Sequence, residues 1–132
     1  MDHRQILPEE FTPTIGAYSH GTSFDIGDTR ILFTTGQIAM GTDGEVVSED
    51  ISEQTEYVFS NLQKILAAEG MDFSHAVKVQ IFVTDMSEFS KISPIRNRFL
   101  GKAKPVSTLV EVNKLVKEGC RIEIEITAIK KM

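Results

Sequence analysis

Arg121-Ile122-Glu123-Ile124-Glu125-Ile126 is the stretch that decides the fold. Successive side chains of an extended chain point to opposite faces. Ile122, Ile124 and Ile126 therefore share one face, with Arg121, Glu123 and Glu125 on the other. The run reads as a strand with one face in a core. Thr108-Leu109-Val110-Glu111-Val112 alternates in the same way, and a polar connection, Asn113 to Gly119, joins the two. Upstream, Ala76 to Val83 reads as a third strand, with Val77, Val79, Ile81 and Val83 on one face.

Two helices precede these strands. Asp50 or Ser52 can cap the first, and Glu53 and Glu56 lie near the positive end of its dipole. Ile51, Thr55, Val58, Phe59, Leu62, Ile65 and Leu66 recur at spacings of three and four, and Gly70 is placed to end the helix. Asp85 or Ser87 starts the second, with Phe89, Ile92, Arg96 and Phe99 at helical spacing. Pro94 requires a first-turn position or a kink.

The first part of the chain reads as β-structure. Tyr18 to Phe24 and Arg30 to Thr35 form a hairpin about Ile26-Gly27-Asp28-Thr29. Gly36 marks a bulge or a close backbone approach. Thr42-Asp43-Gly44 turns into a short strand, Glu45 to Val47, and residues 1–14, with Pro8 and Pro13, read as a lead-in. The order is β-β-β-α-β-α-β-β, an α+β domain whose six-stranded mixed sheet carries two helices on one face. Oligomerisation is the expected cover for the other face.

Composition agrees with one domain spanning residues 1–132. Hydrophobic residues make up 41% and charged residues 25%, which excludes disordered, collagenous and disulfide-scaffold classes. Residues 1–66 carry 3 basic and 11 acidic side chains, whereas residues 67–132 carry 11 and 8. The net charge of −5 is too acidic for a general nucleic-acid binder. Arg96, Arg98, Lys102 and Lys104 are the one basic concentration, without interleaved aromatic residues, and read as a solvated or pairing face. Cys120 stands alone and suits a reducing compartment. The absence of a signal-like or membrane-length apolar run points to a cytoplasmic protein. His3, His20 and His75 are too scattered for a zinc site, and no metal is expected. His20 reads as a surface histidine and Cys120 as an inert small side chain.

Several short motifs, in order, resemble the Rid family, the small trimeric proteins also called YjgF-like and known for enamine/imine deaminase activity. They are Ile15-Gly16-Ala17-Tyr18-Ser19-His20-Gly21, Thr34-Thr35-Gly36-Gln37-Ile38, and the helix text Gln54…Asn61-Leu62…Leu66-Ala67-Ala68-Glu69-Gly70. Val79 to Met86, Val110-Glu111-Val112 and Ile122-Glu123-Ile124-Glu125 complete the set, which covers roughly residues 12–130. The resemblance implies a chorismate-mutase-like fold, a homotrimer, no cofactor, and clefts between subunits for a small-molecule ligand.

Carried over residue by residue, the resemblance makes Glu123 the group that activates water and Thr35 its companion in catalysis. It places Tyr18 and the backbone at Gly36 against the ligand. The family's arginine, which grips a substrate carboxylate, is absent: Pro105-Val106-Ser107-Thr108 puts Ser107 there, and Leu109 replaces a cysteine two residues on. Hydrogen bonds to a charged group contribute on the order of 1.5–3 kcal/mol each, so this loss implies roughly ten- to hundredfold weaker binding of a small 2-imino acid. Ser107 and Leu109 point either to a cleft adapted to another ligand, an uncharged one among the candidates, or to a retained fold with a changed role. Lys104 and Arg121 are the neighbouring cations that could stand in. From periodicity alone, Glu123 also reads as a solvated strand residue and Tyr18 as a half-buried aromatic. Hydrolysis of an enamine or imine is one reading of the function. A non-enzymatic ligand-binding or regulatory trimer is the alternative, with RNA cleavage or translation inhibition a weaker third.

Overall fold

A computed structural model describes residues 2–132. Its strands are β1 (Arg4–Ile6), β2 (Gly21–Ile26), β3 (Thr29–Thr34), β4 (Gln37–Ile38), β5 (Ala76–Val83), β6 (Val106–Glu111) and β7 (Ile122–Lys131). The helices are α1 (Ile51–Ala67) and α2 (Phe89–Leu100). One mixed sheet runs β1-β2-β3-β7-β5-β6, with β4 also paired to β7. Only β5 and β6 are parallel, as their helical crossover through α2 requires.

The alternation of β7 puts Ile122, Ile124 and Ile126 in the core and Glu123 and Glu125 on the opposite face. Both helices cover the isoleucine side, where Val58, Phe59, Leu62, Ile65 and Leu66 of α1 are fully buried. Asp50 is the cap of α1 and accepts from the Glu53 N–H at 2.9 Å. The turn after α1 closes at Gly70, whose φ of 69° suits a glycine. Asp85 caps a short 3-10 turn, Met86–Glu88, that leads into α2, so Pro94 falls inside the helix and not in its first turn.

The sheet has seven strands where the sequence suggested six, and the change in strand count lies in its first half. Arg4–Ile6, inside the expected lead-in, pairs with β2 as an edge strand. Glu45 to Val47 is not a strand: Val46 makes only an isolated bridge to Met40, and Gln37–Ile38 supplies the extra pairing on β7. The first hairpin strand starts at Gly21, not Tyr18. A bulge between Ala76 and Lys78 turns Val77 out of its expected core position. Each difference is a piece of three residues or fewer, too short to show a period.

Arg4 and Arg30 bracket Asp25 at 2.8 and 2.9 Å and reach Glu69 beyond α1, tying the hairpin to the helix end. The Arg30 guanidinium, followed by Arg4, lowers the Asp25 carboxyl from 3.8 to about 2. A lowered folded-state pKa adds stability above the unfolded value that disappears as pH falls through the folded one. The denaturation midpoint of wild type is therefore expected to exceed that of Asp25→Asn above pH 4, and the gap is expected to close toward pH 2. A gap unchanged across that range contradicts a stabilising role for these ion pairs.

Candidate functional site

The chain leaves β3 and re-enters the sheet as β4 through Thr35 and Gly36, directly beside β7. Ile38 pairs with Glu123 across that junction, so the carboxylate side chain rises beside the break in the strand. Glycine at position 36 makes room for that side chain. A Cβ on it would lie 2.6 Å from Cδ and 2.8 Å from Cγ of Glu123, so any larger residue displaces the carboxylate. Glycine thus lets the half-buried glutamate lie flat over the backbone.

His20 holds the rest of the cleft in place. It is buried, at 8% exposure, and not on the surface as the sequence suggested. Its Nε2–H donates to the Thr12 carbonyl at 2.9 Å, in the tautomer whose Nδ1 accepts from the Gln37 amide at 3.3 Å. Its own carbonyl accepts from the Thr35 N–H at 2.9 Å, and its ring packs edge-on against Phe11 at 5.0 Å. His20 therefore joins the approach segment and β4 through its ring and the Thr35–Gly36 junction through its main-chain carbonyl. Its role is structural, and its alternation with Tyr18 carried no sign of that.

Tyr18, Thr35, Gly36 and Glu123 line one cleft of about 70 Å³. Tyr18 is half-exposed, and its hydroxyl accepts from the Ile15 N–H at 3.4 Å. Burial pushes the Glu123 carboxyl above the usual carboxylate range, and the neighbouring Glu125 pushes in the same direction. A carboxyl held this way can take a proton from water and return it. If Glu123 acts as an acid–base group, Gly36→Ala, which displaces it, is expected to lower turnover on the order of 10²-fold, because misplacement by about 1 Å costs that much. Circular dichroism checks the fold; an alanine variant whose turnover equals that of an active wild type contradicts the close packing.

Ser107 is not in this cleft. It stands level with Val79 on the helix side of the sheet, whereas Glu123 is level with Phe82 on the open side. Leu109 packs partly against the core and lines neither cavity. Arg121 is engaged by the Glu88 carboxylate and by the Glu49 carbonyl at 2.9 Å, so it is not a free cation. Lys104 does lie beside Ser107, in a second cavity of about 270 Å³ that also receives Arg96. Cys120 is buried, and burial raises its thiol pKa, which fits an inert side chain.

Residues 9–130 match the family model described as Endoribonuclease L-PSP. Protein DfrA of Myxococcus xanthus is 34% identical over 130 residues, covering 98% of this chain and 97% of its own. The human 2-iminobutanoate/2-iminopropanoate deaminase is 32% identical over 129 residues, covering 96% of this chain and 90% of its own. Among solved structures, the Rid protein YyfA from Yersinia pestis superposes with a TM-score of 0.84 at 30% identity, covering 96% of this chain and 98% of that one.

Proposed function

We propose that this chain, which belongs to the endoribonuclease L-PSP family, also known as Rid or YjgF-like, hydrolyses a small enamine or imine to a carbonyl compound and ammonia. The observation that carries this reading is a half-buried glutamate whose carboxyl is raised in pKa, seated over a glycine beside Tyr18 and Thr35. The deaminase name of the human relative supports the same reaction.

In this mechanism the Glu123 carboxylate takes a proton from a water molecule as the water oxygen bonds to the imine carbon. The C=N π electrons move to nitrogen, which takes that proton from Glu123, giving a neutral carbinolamine. Glu123 then takes the carbinolamine hydroxyl proton and passes it to the nitrogen as the C–N bond breaks, so that ammonia leaves, the C=O bond forms and the carboxylate is restored. One water is consumed and one ammonia released, and no electrons are transferred to or from the protein. Thr35 and the Tyr18 hydroxyl orient the substrate.

A cleft of about 70 Å³ does not enclose a metabolite by itself. The open sheet face beside it carries Phe24 stacked on Phe33 at 6.1 Å, with Phe33, Val110 and Ile129 each at least 40% exposed. That apolar surface supports a homotrimer in which a second copy closes each cleft. The test is a coupled assay in which threonine dehydratase generates the 2-imino acid and keto-acid release is followed, with cyclic imines assayed in parallel. Acceleration over the uncatalysed control supports the proposal. A non-enzymatic binding role becomes the better reading if every imine matches its control, and melting-temperature shifts by candidate ligands then address it.

A further inference from the structure

Among the described residues, Asn61 of α1 is the one buried polar side chain without a hydrogen-bond partner; it is 8% exposed. The other buried polar groups of α1 are fully engaged. Gln54 donates to the Ser48 and Gly119 carbonyls at 2.8 Å and accepts from the Arg121 N–H at 2.8 Å. Thr55 Oγ1 donates to the Ile51 carbonyl at 2.7 Å. His20, Ser23, Thr34 and Gln37 are bonded as well. Asparagine is a poor helix former, and an unbonded amide in a core costs stability, so neither propensity nor packing accounts for Asn61.

Where the amide points follows from the same bookkeeping. Every fully enclosed side-chain nitrogen and oxygen among the described residues has a partner, so the unbonded Asn61 amide meets open space. The space that Asn61 lines is the Glu123 cleft. Asn61 belongs to the helix layer, whereas Glu123 rises from the open face of the sheet. One cavity reaches both at the Thr35–Gly36 break, whose residues also line it. Its volume of about 70 Å³ takes about two waters at about 30 Å³ each. The polar groups on its walls are therefore one or two waters apart.

We propose that Asn61 is a further catalytic residue, holding the attacking water together with Glu123. The inference rests on the imine-hydrolysis reading above and deepens it by naming the second holder of the water. A carboxylate alone fixes one proton of a water and leaves the molecule free to turn about that bond. With the second proton donated to Asn61 Oδ1, the turning stops and a lone pair is left to face the imine carbon. Asn61 neither gains nor loses a proton, and being neutral it does not oppose the ionised Glu123, as an acid at this place would.

The test measures kcat and KM for enzymatically generated 2-iminobutanoate across pH in wild type, Asn61→Leu and Asn61→Asp, and follows the Glu123 carboxyl by carbon-13 NMR titration. Asn61→Leu, with the same branched shape and no polar atom, is expected to lower kcat roughly ten- to hundredfold with KM unchanged. It is expected to melt no lower than wild type, because an unbonded buried amide has been removed. Asn61→Asp keeps an acceptor but adds a charge facing Glu123. The Glu123 titration midpoint and the rising limb of kcat are both expected to move to higher pH by about one pH unit. The other titratable groups around Glu123, Tyr18 and His20 in the cleft and Glu125 along β7, are the same in all three proteins. Asn61→Asp is nearly isosteric and keeps the test decisive should Asn61→Leu fail to fold.

Imine turnover by wild type with kcat unchanged in Asn61→Leu, or with the loss confined to KM, keeps the hydrolysis and overturns the role of Asn61. An unmoved Glu123 midpoint in Asn61→Asp overturns the facing of the two side chains. A wild type that turns over no imine, but whose Glu123 midpoint rises in Asn61→Asp, keeps the water-holding pair and loses the hydrolysis.

Discussion

On the proposed imine hydrolysis, Glu123→Gln is expected to lower kcat by about 10²–10⁴-fold, the range over which a positioned acid–base group acts. The amide fills the same space over Gly36 but cannot take a proton from water. A raised carboxyl pKa also sets the shape of the pH profile. Base catalysis needs the ionised form, so wild-type kcat climbs as pH rises through that raised value, and the variant loses this limb. The stability argument runs the other way. Because the folded state binds the Glu123 proton more tightly than the unfolded chain does, ionisation at neutral pH costs stability, and glutamine removes that cost. The variant is therefore expected to melt no lower than wild type at pH 7 while losing activity. Lost activity together with a lowered melting temperature would instead assign Glu123 a structural role.

Phe59→Ala destabilises the protein by about 3–5 kcal/mol, the usual range for emptying a fully buried phenylalanine site. Phe59 has no exposed surface and stacks on Phe99 of α2 at 4.8 Å, and Phe73 meets both rings edge-on, at 5.9 and 5.4 Å. The three rings fasten α2 to α1, so the cavity they leave cannot collapse without moving α2 and with it Arg96. Urea denaturation measures the change, and the melting temperature is expected to fall by about 10–20 °C for a domain of this size. A loss under about 1 kcal/mol would show that the ring cluster is not the fastening.

The legible part of the fold is the part with sustained periods. The isoleucines of β7 and the apolar stripe of α1 each repeat long enough to assign both an element and its buried face. The strands at Arg4–Ile6 and Gln37–Ile38 are held by pairing with distant partners, and nothing local announces them. Site chemistry follows the same division. Tyr18, Thr35, Gly36 and Glu123 sit in one cleft, and the reason for glycine is visible only once Glu123 lies across it. His20 was hidden because its three polar contacts come from segments far apart in sequence or joined by an irregular loop. Arg96 and Ser107 were each readable, but their meeting depends on α2 packing back along β6, which no spacing encodes.

The most direct measurement is the rate of 2-oxobutanoate release from enzymatically generated 2-iminobutanoate, taken side by side for wild type, Glu123→Gln and a protein-free control. The account predicts that wild type accelerates release and that Glu123→Gln falls back to, or close to, the control. Release in the presence of wild type at the control rate, or equal acceleration by both proteins, would contradict it.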